Sequence, residues 1–383
     1  MLGVQVSGWA GQGGAQGVHG CNDFFVWIKM FTALRVFAMV MGFGGFLGGC
    51  ANLGYYTQAF EGQMDLLRHA QPVSAVMDDP LASQKLKQAL AKAMQLRAFA
   101  SRELQLPDNQ SYTRYTDVKR PYVLWNVFAA EEFSTTPKQW CFIGVGCVSY
   151  RGFFAQKDAE TFATELRHDG HDVYLGGVPA YSTLGWFDDP LLSTFIGYSE
   201  TELAQLLFHE LAHQVVYVGD DTAFNESFAT AVELEGVNRW LDRHGDAVQR
   251  AAFEASQQRK TVYIDSMLSA RQQLEVLYAS RADETEKRLA KAQIFDALRA
   301  ELAHSSKRPD RWLAQQLNNA QLASIATYTQ LVPAFRALLA QQGGDMQQFY
   351  LRVKKLSALP QVERNGILQA TLEDSRKKLA VNR

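Results

Sequence analysis

Apolar positions recur at helical spacing over most of the chain after residue 50, and one central stretch breaks that rhythm. Leu53–Ala70 sets Tyr56, Ala59, Phe60, Gln63, Leu66 and Leu67 along one stripe and stops at Pro72, which predicts an amphipathic helix. Leu81–Leu104 predicts a longer one, with Leu86, Leu90, Met94 and Phe99 inward and Lys and Gln outward, closed by Pro107-Asp108-Asn109. Between Tyr112 and Tyr181 the pattern changes. Tyr122–Ala129, Cys141–Tyr150 and His171–Val178 are aromatic and β-branched runs bounded by Pro, Gly and Asp, which predicts strands, with an amphipathic helix at Asp158–Asp169 between the last two. After Trp240 the helical period returns in Arg250–Ala279, Glu284–His304 and Asp310–Leu339. The fold class expected is α+β and predominantly helical, a small N-terminal sheet followed by a helical C-terminal part. We divide the chain at 1–49, 50–198, 199–245 and 246–383.

Within 199–245 the hydrophobic pattern carries chemistry. Leu206–Gln214 reads Leu-Leu-Phe-His-Glu-Leu-Ala-His-Gln. On a helix, His209 and His213 lie one turn apart on one face, so both imidazoles can reach a single cation. Glu210 is rotated off that axis, where a carboxylate can take a proton from a water on the metal. Ser199 and Glu202 form an S-x-x-E capping box, Leu203, Leu206, Leu207, Leu211 and Ala212 supply the apolar face, and Gly219 follows the last turn. The next element, Asp221–Trp240, carries Glu226 thirteen residues after His213. Two histidines and a glutamate are the ligand trio of catalytic zinc sites, the fourth position being left to water, so one Zn²⁺ is the cofactor expected. Spacing also admits Glu233, seven residues beyond Glu226 and on the same helix face. Whichever glutamate is not a ligand is expected to support the site from behind, and Asp220 or Asp221 to orient a ligand histidine through its other ring nitrogen.

Composition changes the picture little, the N-terminus more. The 383 residues are 47% hydrophobic and 20% charged, a globular balance, and a net charge of −2 with no basic run excludes the usual nucleic-acid footprint. Lys29 and Arg35 precede Val36–Gly49, an uncharged stretch of fourteen residues, the length of a signal-peptide core and short for a membrane span. Leu47-Gly48-Gly49-Cys50 resembles a bacterial lipobox, so residues 1–49 are expected to leave and Cys50 to be lipidated; an uncleaved helical anchor is the alternative. Met30 is a second candidate start, which would make residues 1–29 an over-extended beginning. Ala51 rather than Asp after the cysteine implies an outer-membrane lipoprotein facing the periplasm. In that oxidising compartment Cys141 and Cys147 are an oxidisable pair across a short loop, while Cys21 departs with the leader.

The mature chain resembles a family of bacterial zinc-aminopeptidase lipoproteins. The resemblance rests on Gly54-Tyr55-Tyr56, Leu106-Pro107-Asp108-Asn109, Arg120-Pro121-Tyr122-Val123, Trp125–Ala129, Trp140-Cys141 with Gly146-Cys147, Ala180–Phe187 and the metal helix. Asn225-Glu226-x-Phe228-Ala229 is also similar to the Asn-Glu-x-Phe-Ala segment of gluzincin aminopeptidases, which favours Glu226 as third ligand. The resemblance implies a zincin-like fold, a peptide substrate, and an edge strand within Gly176–Asp189 that pairs with the substrate backbone through Ala180, Tyr181, Ser182 and Thr183. Pro179 suits an edge strand. It further implies an oxyanion donor from a downstream helix, for which Tyr328 is the candidate, although tyrosines on packed helices usually serve the core. One feature departs from the pattern: those aminopeptidases grip the free amine with a glutamate on that strand, and no acid stands in Val178–Thr183, leaving Glu131 or Glu132 as substitutes from elsewhere. The function expected is zinc-dependent hydrolysis of peptide bonds in the cell envelope. The alternatives are a chaperone-like lipoprotein that holds a partner on a zincin scaffold, and hydrolysis of a non-peptide amide.

Overall fold

The computed structural model describes residues 54–142, 146–305, 317–329 and 331–381. The lipobox with Cys50, the whole leader and residues 310–316 lie outside the described residues. The chain divides into Met1–Gln58, of which residues 54–58 are described as helix, and Ala59–Arg383, which holds the rest of the fold. Among the described residues no helix is long and apolar enough to cross a membrane.

Helix α1 covers 54–69 and buries Gln63 and Leu66, whereas Phe60, on the same stripe by spacing, is exposed. Strand β1 (Gln71–Pro72) and helix α2 (Val73–Asp78) lead to α3 (Gln84–Leu104). The start of α3 lies three residues later than the period predicts: the Ser83 hydroxyl accepts the Leu86 N–H and fixes the N-terminus, leaving Leu81 in solvent. Leu90, Leu96 and Phe99 then face the core.

The eight strands among the described residues follow the pattern only in part. Strands β2 (Arg114–Thr116) and β8 (Leu191–Leu192) join β1 in one three-stranded sheet. Strands β3 (Leu124–Glu131), β6 (Arg151–Phe153) and β7 (His171–Val178) form another in the order β6-β3-β7, with α4 (Gln156–His168) as the connection. The β3–β7 register runs antiparallel from Leu124 opposite Val178 to Glu131 opposite His171. The run Cys141–Tyr150, predicted as one strand, is a hairpin of β4 (Trp140–Phe142) and β5 (Gly146–Val148), with Cys141 opposite Cys147 and their sulfurs bonded. Gly146 makes the return at φ +83°, where a Cβ would also run into the Asp220 carboxyl.

Strand β7 is an edge, yet the four residues named for substrate pairing are not part of it. Pro179 has no N–H to continue the ladder, so the strand stops at Val178, whose carbonyl accepts the Val123 N–H at 2.9 Å. The chain turns inward, burying Ala180 and half-burying Tyr181, and reverses through Leu184 and Gly185, both at positive φ.

The remainder is helical: α5 (Glu200–His213), α6 (Thr222–His244), α7 (Ala247–Ala279), α8 (Glu284–Ser305), α9 (Asn319–Thr329), α10 (Val332–Gln341), α11 (Met346–Ser357) and α12 (Gln361–Val381). The long helix predicted over Asp310–Leu339 is broken into α9 and α10. Pro333 sits in the first turn of α10, where its missing N–H does no harm, and the Leu331 N–H goes to Ser227 Oγ instead of into a helix. The main core joins α3, α5, α6, α10 and α11, and a second cluster lies between α7 and α8. Gly236 of α6 is required by the first of these: a Cβ there would meet Phe208 and Leu104 side chains at 2.5 and 2.7 Å.

Candidate metal centre

Helices α5 and α6 pack side by side along a polar seam set into the main core. Their ends are fixed by local chemistry. The Ser199 hydroxyl accepts the Glu202 N–H, and the Glu202 carboxylate accepts the Ser199 N–H at 3.0 Å, the predicted capping box. Asp221 caps α6 by accepting the Phe224 N–H at 3.0 Å. Between the helices, Asn225 closes the loop from both sides, accepting from the Val218 N–H at 2.8 Å and donating to the Val218 carbonyl at 2.7 Å. That clamp sets where Glu226 enters the seam.

Three side chains converge there. His209 Nε2 lies 3.2 Å from His213 Nε2 and 3.2 Å from Glu226 Oε2, and His213 Nε2 lies 3.7 Å from Glu226 Oε1. A tetrahedral ion with bonds of about 2.0–2.1 Å holds its ligands roughly 3.3 Å apart, so these spacings fit one cation between the three groups. Glu233 stands behind. Its Oε2 accepts from His209 Nδ1 at 3.1 Å and its Oε1 accepts from Gln205 Nε2 at 2.6 Å, so both oxygens are committed and the ring of His209 is locked with Nε2 toward Glu226. His213 Nδ1 is buried and has no partner among the described residues.

The electrostatics agree with this division. Burial alone would lower His209; its hydrogen bonds to the Glu226 and Glu233 carboxylates overcome this and hold the imidazole well above its ordinary value. Burial would likewise raise both glutamates, and the histidines keep them below the usual carboxylate range. His213 is driven down to about 4, chiefly by burial, and so carries a free lone pair near pH 7. Glu210 has no such partner. Desolvation raises it to about 7, opposed by the charge of His209 and reinforced by those of Glu226, Asp189 and Glu233. A largely desolvated carboxyl in that range beside a candidate cation site is suited to taking and returning a proton.

Other expected residues lie elsewhere. Asp221 orients no histidine: besides capping α6 it pairs with Arg364 of α12, both side chains being buried. Asp220 accepts the backbone N–H of Cys147 and so ties the disulfide hairpin to the interhelix loop. Glu233 does what was expected of these aspartates, because about three turns into α6 it faces α5, whereas a capping residue faces its own helix end. Glu131 and Glu132 are at the far end of β3, with Glu132 in a bidentate pair with Arg288 at 2.7 and 2.9 Å. Thr183 spends its N–H on Asp189, and the Tyr181 hydroxyl goes to Gln63. The side chain of Tyr328 lies outside the described residues.

Sequence reasoning missed a second set of residues around the centre. Arg97 of α3 is buried and donates to the carbonyls of Ser111, Pro107 and Asn109 at 2.9, 2.7 and 2.9 Å, clamping the loop that leads to Tyr112. Asn109 donates to Gln214, the residue after His213, at 2.8 Å. The available signal was an arginine on the apolar stripe of α3, in step with Leu90 and Met94.

A family model described as "Putative aminopeptidase" matches residues 54–368, most of the 383-residue chain and all of the centre, and the chain belongs to that family. No curated protein and no solved structure matches it.

Proposed function

We propose, with that membership as the premise, that the protein is a zinc-dependent peptidase whose ion is held by His209, His213 and Glu226 and whose general base is Glu210. Membership supports a peptidase-like activity in coarse terms. The observation that carries the finer reading is the convergence of two Nε2 atoms and one carboxylate within bonding reach of a single ion, with a second, largely desolvated carboxyl, that of Glu210, beside them. Two nitrogens and one carboxylate oxygen are a donor set that suits zinc better than calcium or magnesium.

When bound, zinc lowers the pKa of its water to about 7 and polarises the scissile carbonyl. The chain's own residues do the rest. Glu210 takes the proton of the attacking water and returns it to the leaving amine. Glu233 keeps the His209 Nδ1 proton in place and thereby the ring's orientation, and Gln205 keeps Glu233 in place. A protein that merely holds a partner has no use for a base at position 210. Purified protein reconstituted with zinc should hold one equivalent and cleave leucyl p-nitroanilide or a peptide library. His213→Ala should hold none. Wild-type protein without stoichiometric zinc would end the proposal.

The envelope location is part of the same proposal and is supported by the Leu47–Cys50 motif alone. Palmitate labelling that persists in Cys50→Ser would remove it.

A further inference from the structure

Beside the proposed general base lies a buried carboxyl with no cationic partner among the described residues. Asp189 is 3% exposed, and its Oδ2 accepts the Thr183 N–H at 2.8 Å. Among the described residues no Lys, Arg or His forms an ion pair with it. The charge that acts on it is that of Asp188, and it in turn raises Glu210. Burying a carboxylate without a cation is costly, and folds rarely keep one that nothing uses.

A second deficit adjoins the first. The Tyr112 side chain is 1% exposed and its hydroxyl is buried with no hydrogen-bond partner among the described residues. The electrostatic neighbours of that hydroxyl include Glu210, Asp189 and Tyr181. The one cation that acts on it among the described residues, Arg97, is occupied by the loop carbonyls. Tyr112 holds φ at +64°, an outlier for a bulky residue, and its N–H donates to the Asp189 carbonyl at 2.6 Å. The fold thus spends backbone strain and an orphan hydroxyl to hold Tyr112 against Asp189.

We propose that Asp189 and the Tyr112 hydroxyl form the subsite for the α-ammonium group of the substrate, which makes the reaction an exopeptidase one. This rests on the peptidase reading above. An ammonium offers three N–H donors and one positive charge. One donor meets the Asp189 carboxylate and one the hydroxyl oxygen of Tyr112, so a single group satisfies both deficits. Glu132 does not compete for the role, since both its carboxylate oxygens accept from Arg288.

The test uses the zinc-loaded full chain and two probes, leucine hydroxamate and isocaproyl hydroxamate, which differ only in the α-amine. Titration calorimetry should show wild type preferring the amine-bearing probe by at least on the order of tenfold, as expected for a buried charge pair. In Asp189→Asn, which keeps an acceptor for Thr183, that preference should fall below about threefold while isocaproyl hydroxamate binds as before. Tyr112→Phe, which keeps the ring, should lower the preference by a smaller factor and gives the same readout should Asp189→Asn fail to fold. Equal binding of both probes by wild type, or a preference kept in both variants, overturns the subsite and leaves the metal centre standing. If neither probe binds wild type, the metal reading fails and takes the subsite with it.

Discussion

The molecule contains two antiparallel helix pairs built on opposite principles. Helices α7 and α8 pair through an apolar strip in which Met267, Ala270 and Leu274 meet Phe295, Leu298 and Leu302. Charged residues on their outer sides are largely in solvent, including Glu284 and Arg288, paired with each other at 2.9 Å. Helices α5 and α6 are set in the main core and meet along His209, His213, Gln205, Glu226 and Glu233. Buried ionisable groups seldom improve stability over an apolar filling of the same shape. The cluster of two histidines and two glutamates in that seam is the feature on which the proposed metal site rests. The comparison can be broken at either pair.

The largest effect is expected in the polar seam. Glu210→Gln removes the proposed base and leaves the three proposed ligands, so hydrolysis should fall on the order of 10³–10⁴-fold with zinc content unchanged. Turnover close to wild type, with metal content confirmed by elemental analysis, would show that the seam is structural after all.

In the apolar pair the expected effect is on stability alone. Leu274 is fully buried, and Leu274→Ala should lower the unfolding free energy by about 2–5 kcal/mol. Zinc affinity and turnover per folded molecule should not change. A loss of zinc affinity in that variant would mean that the two pairs are coupled and that the contrast between them is wrong.

A pH experiment sharpens the comparison from the side of the seam. Burial raises Asp189 to about 6 from 3.8, against its hydrogen bonds from Thr183 and with the charge of Asp188. The other groups near it are Glu210 and the Tyr112 and Tyr181 hydroxyls, none of them cationic. A carboxyl whose folded value is raised binds its proton more tightly when folded. Its stabilising contribution is complete below pH 3.8 and is lost as pH rises through about 6. The full loss is at most about 3 kcal/mol, from 1.36 kcal/mol per unit. Denaturant titrations at pH 4 and pH 7 should therefore show Asp189→Asn gaining on wild type as pH rises. Parallel curves would mean that Asp189 is not desolvated.

Much of the seam was legible in the sequence because α5 announces itself locally. The capping box, the apolar face and two histidines one turn apart all lie within fifteen residues, Ser199–His213, and Glu226 follows on the next helix. Spacing left Glu226 and Glu233 open, and only the packing of α6 against α5 assigns the first to the centre and the second to His209 Nδ1. What was not legible depends on distant segments. Arg97, Tyr112 and Asp189 come together through a loop clamp and a backbone hydrogen bond that no periodicity records. The edge-strand expectation failed at Pro179, where a missing donor ends the ladder instead of decorating it. The break between α9 and α10 was likewise announced by Pro333, which the apolar period across it concealed.

The finest test separates the two glutamates of α6. Glu233→Gln keeps the shape and one carbonyl oxygen, which can still accept from His209 Nδ1 or from Gln205, but not from both as the carboxylate does at 3.1 and 2.6 Å. Loss of such a partner typically weakens metal binding by about 10–100-fold, equivalent to roughly 1.4–2.7 kcal/mol. The zinc-free variant should also be less stable than wild type, because the raised His209 imidazole and the Gln205 amide lose the carboxylate that pairs with both. Glu226→Gln, by contrast, touches a ligand and should reduce affinity further. Competition with a zinc chelator of known affinity reads both. If Glu233→Gln proved the more damaging of the two, the assignment of ligand and support would have to be exchanged, and the spacing argument that admitted Glu233 would be the correct one.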